Sequence, residues 1–213
     1  MLRRLVDRIL ETPTGYGINR ILAGPTTRRL ERLIGETVSQ TPGRSVLDIG
    51  CGTGDYSPML VGAGSYVGVD INPAYVASAR ARFPQAQFET MNAAFLDFSA
   101  ARFDEVISVA TTHHLNDKEV AAMTREALRV VRPGGAFHIF DAILPVNPHA
   151  YFKTAFFKMD RGRFARKADA LIGVVRECGQ VTAHKIVLGP LHDVIYVKIE
   201  ASPLEERSRP KAA

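Results

Sequence analysis

The chain has 213 residues, 46% hydrophobic and 23% charged, with a formal net charge of +5 and two cysteines. A chain this short with that apolar share builds one core, so a single domain over 1–213 is expected. Cys51 and Cys178 are too few for a disulfide scaffold, and no apolar run nears the ~20 residues of a membrane span, so a cytoplasmic protein is expected.

Leu2, Leu5, Val6, Ile9 and Leu10, then Leu30, Leu33 and Ile34, keep helical spacing. Two or three helices over 1–43 are therefore expected before the first strand, with a Gly/Pro break near 12–17. Their start alternates charged and apolar residues and has no hydrophobic signal core. Residues 46–54 read Val-Leu-Asp-Ile-Gly-Cys-Gly-Thr-Gly. The apolar run suits a buried parallel strand, the glycines suit a tight turn, and 53–61 is expected to be helical. Strand, glycine loop and helix N-terminus together would make an anion site. A dinucleotide fingerprint needs a third glycine where Asp55 stands, so that cofactor does not fit.

A second strand over 66–71 ends in Asp70, 22 residues after Asp48. Asn72-Pro73 then opens a helix, with Asn72 able to cap it alone. Segment 88–98 carries Asn92-Ala93, and 103–109 reads as a fourth strand followed by Thr111-Thr112-His113-His114. Pro133-Gly134-Gly135 separates a helix from a fifth strand, 136–141, that ends in Asp141. Strands 181–188 and 193–201 are joined by four residues, which suits an antiparallel hairpin. The residues after Ser202 are expected to be a frayed tail. The pattern predicts an α/β fold: a doubly wound, mostly parallel sheet closed by a C-terminal antiparallel β-hairpin.

The ordered set Asp48-x-Gly50-x-Gly52-x-Gly54, Asp70, Asn92-Ala93, the fourth strand and Arg132-Pro133-Gly134-Gly135 resembles the class I, Rossmann-like methyltransferases that use S-adenosyl-L-methionine. The resemblance implies that 44–142 is the cofactor-binding core. In it the glycine loop runs under the methionine half, Asp48 helps hold the ammonium, Asp70 accepts the ribose hydroxyls and Ile71 lies on the adenine. Asn92 stands where the family usually has an acid; its carbonyl can still accept from the adenine amino group. Ala93 adjoins it, and Ala110 would supply backbone at the end of the fourth strand. The N-terminal helices would cover the cofactor cleft, with Tyr16 and Arg20 as lid candidates.

Methyl transfer needs mainly in-line placement, and a base only where the acceptor must lose a proton. His113 and His114 are the base candidates, His113 ahead, with one of the two expected to anchor the loop. Asp141 is a candidate for acceptor contact or for capping the next turn, and His138 reads as a core histidine. No metal is expected. Segment 143–180 is the candidate acceptor-binding insertion. Within its residues 151–167, Lys153, Lys158, Arg161, Arg163, Arg166 and Lys167 face one acid, Asp160, around Phe152, Phe156, Phe157, Met159 and Phe164. Such a face suits a small amphiphilic acceptor bearing phosphate or carboxylate, peripheral contact with an anionic membrane, or an ordinary amphipathic helix. A nucleic-acid acceptor is disfavoured, since no binding module is appended and the fourth-strand loop lacks the Asn/Asp-Pro-Pro-Tyr motif. A catalytically silent cofactor binder is the remaining alternative.

Overall fold

The computed structural model describes residues 24–38, 43–147, 149–151, 153 and 163–200. The expected first helix with Tyr16 and Arg20, most of the Phe/Lys/Arg segment (Phe152, Phe156, Phe157, Lys158, Met159, Asp160 and Arg161) and the tail after Ser202 lie outside the described residues.

Seven described strands form one sheet: β1 (Val46–Ile49), β2 (Tyr66–Asp70), β3 (Gln87–Thr90), β4 (Phe103–Val109), β5 (Val131–Ile143), β6 (Gln180–Val187) and β7 (Asp193–Glu200). Their order is β3-β2-β1-β4-β5-β7-β6. The first five run parallel, while β7 lies antiparallel between β5 and β6. The hairpin expected at the C-terminus is therefore present, with β7, its second strand, joined to the parallel set. Strand order runs outward from β1 to β3 and then restarts beside β1 with β4. This reversal leaves a crevice at the C-terminal ends of β1 and β4, where open α/β sheets bind ligands.

Alternation along the strands divides the core between the two faces. Leu47, Val106, Phe137, Ile139, Val197 and Ile199 pack under α4 (Asp117–Val130) and α5 (Ala168–Arg176). Val46, Ile107, Phe140, Val194 and Tyr196 face the other way, toward α1 (Gly24–Thr37), α2 (Ser57–Leu60) and α3 (Pro73–Arg82). Asn72 caps α3 by accepting from the Ala74 N–H at 2.9 Å, and Pro73 fills its first turn. Asn116 and Glu119 close a capping box on α4. His138 is buried as expected, bonded to Glu105 at 2.9 Å and to the Tyr196 hydroxyl at 3.1 Å.

Three expectations change. The helix expected over 53–61 is one turn, Ser57–Leu60, continued by a 3₁₀ turn. Glycines in the left-handed region hold the loop out of helical geometry up to Tyr56, and Pro58 has no N–H to give the first turn. So short a helix provides no N-terminal anion site. The helix containing Leu30, Leu33 and Ile34 packs against the sheet beside β5 and β7 and contributes nothing to the cleft wall. Strand β5 begins at Val131, five residues early, with a register irregularity opposite Phe103 and Glu105 absorbing Pro133-Gly134-Gly135.

Phe137 is fully buried at the centre of the larger core. Phe137→Ala is expected to cost about 3–5 kcal/mol in urea unfolding. A loss below about 1 kcal/mol would contradict that packing.

Candidate functional site

A cavity of about 540 Å³ opens at the strand-order reversal, within the size range of cofactor sites. Most of its wall comes from the β1 end with the glycine loop, the β2 end, residues 91–93 after β3, and the loop after β4, with Tyr75 and Arg163 added from elsewhere.

The glycine loop fits its surroundings without room for side chains. Gly50 has φ of 78°, and a Cβ there would lie 2.3 Å from the Thr111 hydroxyl. Gly54 is likewise left-handed, and a Cβ would meet the Phe88 ring at 2.8 Å. Gly52 lines the cavity and donates its N–H to Asp70 Oδ2 at 2.9 Å. Asp48 lies beneath this loop rather than on the cavity wall, and is 1% exposed. Its Oδ2 accepts from the Tyr66 hydroxyl at 2.8 Å, while its Oδ1 has no partner among the described residues. Burial pushes the Asp48 carboxyl up to about 7; the Tyr66 hydroxyl opposes the rise and the nearby Asp70 charge adds to it.

Asp70 is held rigidly: Gly52 N–H donates to one oxygen and Asn72 N–H to the other, at 2.9 and 2.8 Å. Burial raises its carboxyl above the ordinary range, against the pull of those two N–H groups. It lines the cavity, as does Ile71, an apolar side chain left 69% exposed. Asn92 and Ala93 also reach the wall. The Asn92 side-chain oxygen already accepts from the Ala94 N–H at 2.9 Å, leaving one lone pair for a ligand.

The loop after β4 gives the paired histidines, whose ring centroids lie 4.1 Å apart, different surroundings. Ala110, on the wall, takes a left-handed φ of 53° and donates its N–H to the Phe140 carbonyl. That conformation costs a non-glycine residue about 1 kcal/mol or more and recurs at functional sites. His113 turns into the protein, 5% exposed, with Nδ1 2.5 Å from Asp141 Oδ1. Asp141 is fully buried and also receives the Thr112 hydroxyl and the N–H groups of His113 and Ala142. Burial alone would raise its carboxyl, but the adjacent His113 ring, with Thr112 and Ala142, holds it below the ordinary range. Asp141 thus anchors the loop and reaches no ligand surface. His114, by contrast, stands on the cavity wall. Of the two base candidates the geometry favours His114, reversing the order expected from sequence.

Tyr75, Met91, Thr111, Leu115 and Arg163 also line the wall without having been singled out as site residues. Thr111 was detectable in principle, since whatever follows β4 at the reversal must meet the β1 glycine loop. Arg163 was visible only as one cation in a basic run.

The methyltransferase-domain family matches residues 46–135, the stretch that supplies most of this wall. A probable S-adenosylmethionine-dependent methyltransferase of Mycolicibacterium smegmatis is 35% identical over 111 residues, 52% of this chain and 42% of that protein. Over this stretch the chain is similar to class I methyltransferases. A 2-methyl-6-phytyl-1,4-hydroquinone methyltransferase of Synechocystis is 39% identical over 105 residues, 47% of this chain and 32% of that protein. The chain spans about half the length of the curated relatives it matches. In fold it is similar to the putative methyltransferase solved in complex with the Haloferax volcanii Trm112 activator, with TM-score 0.69, 18% identity, and coverage of 85% of this chain and 93% of that one.

Such methyltransferases use S-adenosylmethionine, a cation at its sulfonium and ammonium, and the pocket described above fits it. Two buried acids, Asp48 and Asp70, are both raised, and Asp48 keeps an orphaned oxygen. Positive charge above the loop would relieve both.

Asp48 also makes stability depend on pH. Its folded value of about 7 exceeds the ordinary 3.8. Its contribution is therefore complete in acid and lost as pH rises through about 7. Asp48→Asn, neutral at every pH, is expected to melt a few degrees above the unmutated protein at pH 8, the gap closing toward pH 4. Equal melting temperatures at pH 8 would contradict the buried-charge cost.

Proposed function

We propose that this chain transfers the methyl group of S-adenosylmethionine to an O, N or C centre of a small, amphiphilic acceptor, chiefly by in-line positioning. The observation that carries the reading is the joining of a rigid acid, Asp70, and an exposed apolar residue, Ile71, to a glycine loop over an unsatisfied Asp48. These groups match a ribose, an adenine and an ammonium in that order. The bound cofactor brings a methyl group already made electrophilic by its sulfonium.

The protein's part is placement. Gly50 and Gly52 let backbone approach the methionine half, while Asp70 fixes the ribose. Ala110 and Thr111 bring the β4 end against the same centre. Placement of this kind is worth roughly 7–11 kcal/mol when the geometry is good. His114 is placed to take a proton from an acceptor hydroxyl or amine, and His113 with Asp141 keeps its loop in position. The Synechocystis relative, named for a phytyl hydroquinone, supports an amphiphilic acceptor with an ionisable hydroxyl. No described helix is long and apolar enough to cross a membrane.

Incubation with methyl-labelled S-adenosylmethionine and cell extract, followed by partition into organic, small-aqueous and nucleic-acid fractions, tests the reading. Label in either of the first two fractions is expected, and label confined to nuclease-sensitive material would contradict it. Asp70→Asn is expected to weaken cofactor binding about tenfold or more while the domain still folds, through loss of the charged acceptor; unchanged affinity by calorimetry would remove the ribose role. Once the acceptor is in hand, His114→Ala should lower turnover by roughly 10²-fold with cofactor affinity unchanged, if the acceptor loses a proton. His113→Ala should instead lower the melting temperature, and the reverse pattern would restore His113 as the base.

A further inference from the structure

The segment after residue 162 is latched onto the loop that carries the histidines. Arg166, with its side chain 9% exposed, donates to Asp117 at 2.6 Å and to the carbonyls of Thr112 and Leu115 at 2.9 and 2.5 Å. The Phe164 N–H donates to the His113 carbonyl at 3.0 Å, and the Arg166 carbonyl accepts from Leu144 at 2.8 Å. The loop is thus held from beneath by Asp141 and from outside by Arg166.

This latch sets Arg163 on the cavity wall beside the β4 loop, with His114 and Thr111. Two other cations of that segment are engaged elsewhere: Lys153 pairs with Asp193 at 2.7 Å and Arg166 with Asp117. Arg163 makes no ion pair or hydrogen bond among the described residues, and its side chain is exposed. The acid on the wall, Asp70, belongs to the β2 end and already accepts two N–H groups. A guanidinium in a cleft with its planar fork of donors unused matches a carboxylate or phosphate and little else.

We propose that Arg163 is a specificity-determining residue of the acceptor end, selecting acceptors that carry a carboxylate or phosphate and holding that group beside His114. This rests on the methyl-transfer reading of the pocket. The cofactor's own carboxylate is the other source of such a charge, so the test must separate the two. The full chain is saturated with S-adenosylhomocysteine and titrated with benzoate or with its neutral isostere benzamide, followed by ligand-observed NMR. Benzoate is expected to bind about tenfold more tightly than benzamide, as a charge-assisted bond allows. Arg163→Ala should erase that preference, Arg163→Lys should restore part of it, and the affinity for S-adenosylhomocysteine should stay within about twofold in both variants. Absence of a benzoate preference in the unmutated protein, or its survival in Arg163→Ala, overturns the proposal. A loss of S-adenosylhomocysteine affinity in Arg163→Ala also overturns it, by assigning the guanidinium to the cofactor. Failure of the unmutated protein to bind S-adenosylhomocysteine is a different result, since it removes the methyl-transfer reading itself.

Discussion

At the end of β1 there is room for a hydrogen atom and not for a methyl group. Thr111, arriving from β4, occupies the space where a side chain on Gly50 would stand, and this close approach is possible only because the chain order reverses between those two strands. The rest of the site depends on it. The loop can pass low over Asp48, Gly52 can turn its N–H toward Asp70, and the β4 loop can close over the same cavity. A wider separation of β1 and β4 would leave an acid, a glycine loop and a histidine pair with no shared space.

The pocket also has an electrical direction. On the β1–β2 side stand two raised acids, Asp48 and Asp70. On the β4 side stand Arg163 and His114. The proposed roles put a cationic cofactor on the first side and an anionic acceptor on the second. The barrier between them is a backbone held by strain at Ala110 and by the buried pair His113–Asp141. Desolvation explains why these charges matter: an unpaired carboxylate under a loop is expensive, and a ligand that neutralises it gains accordingly.

What the sequence made legible was local. The glycine loop, the acid ending β2 and the Asn72 cap each depend on a few adjacent residues and a backbone conformation, so pattern reading reached them. The hairpin was legible because four residues cannot span a crossover. Depth was not legible: nothing in Val-Leu-Asp-Ile says that Asp48 lies under the loop instead of facing the cleft. Nor could adjacency separate His113 from His114, because in the 3₁₀ turn the two rings lie with centroids only 4.1 Å apart, and burial of one and not the other is set by the long-range contact to Asp141. The helix expected after the loop was overestimated because three left-handed glycines delay its start. Arg163 stood out only once long-range bonds from Arg166 had placed it.

The most direct test of the central claim, that a cationic cofactor sits above a buried and partly protonated Asp48, is calorimetry of S-adenosylmethionine binding at pH 7 in two buffers of different ionisation enthalpy. The account predicts saturable one-to-one binding with net release of a fraction of a proton, as the arriving charge drives Asp48 to its ionised form. No binding, or binding whose heat is the same in both buffers, would contradict it.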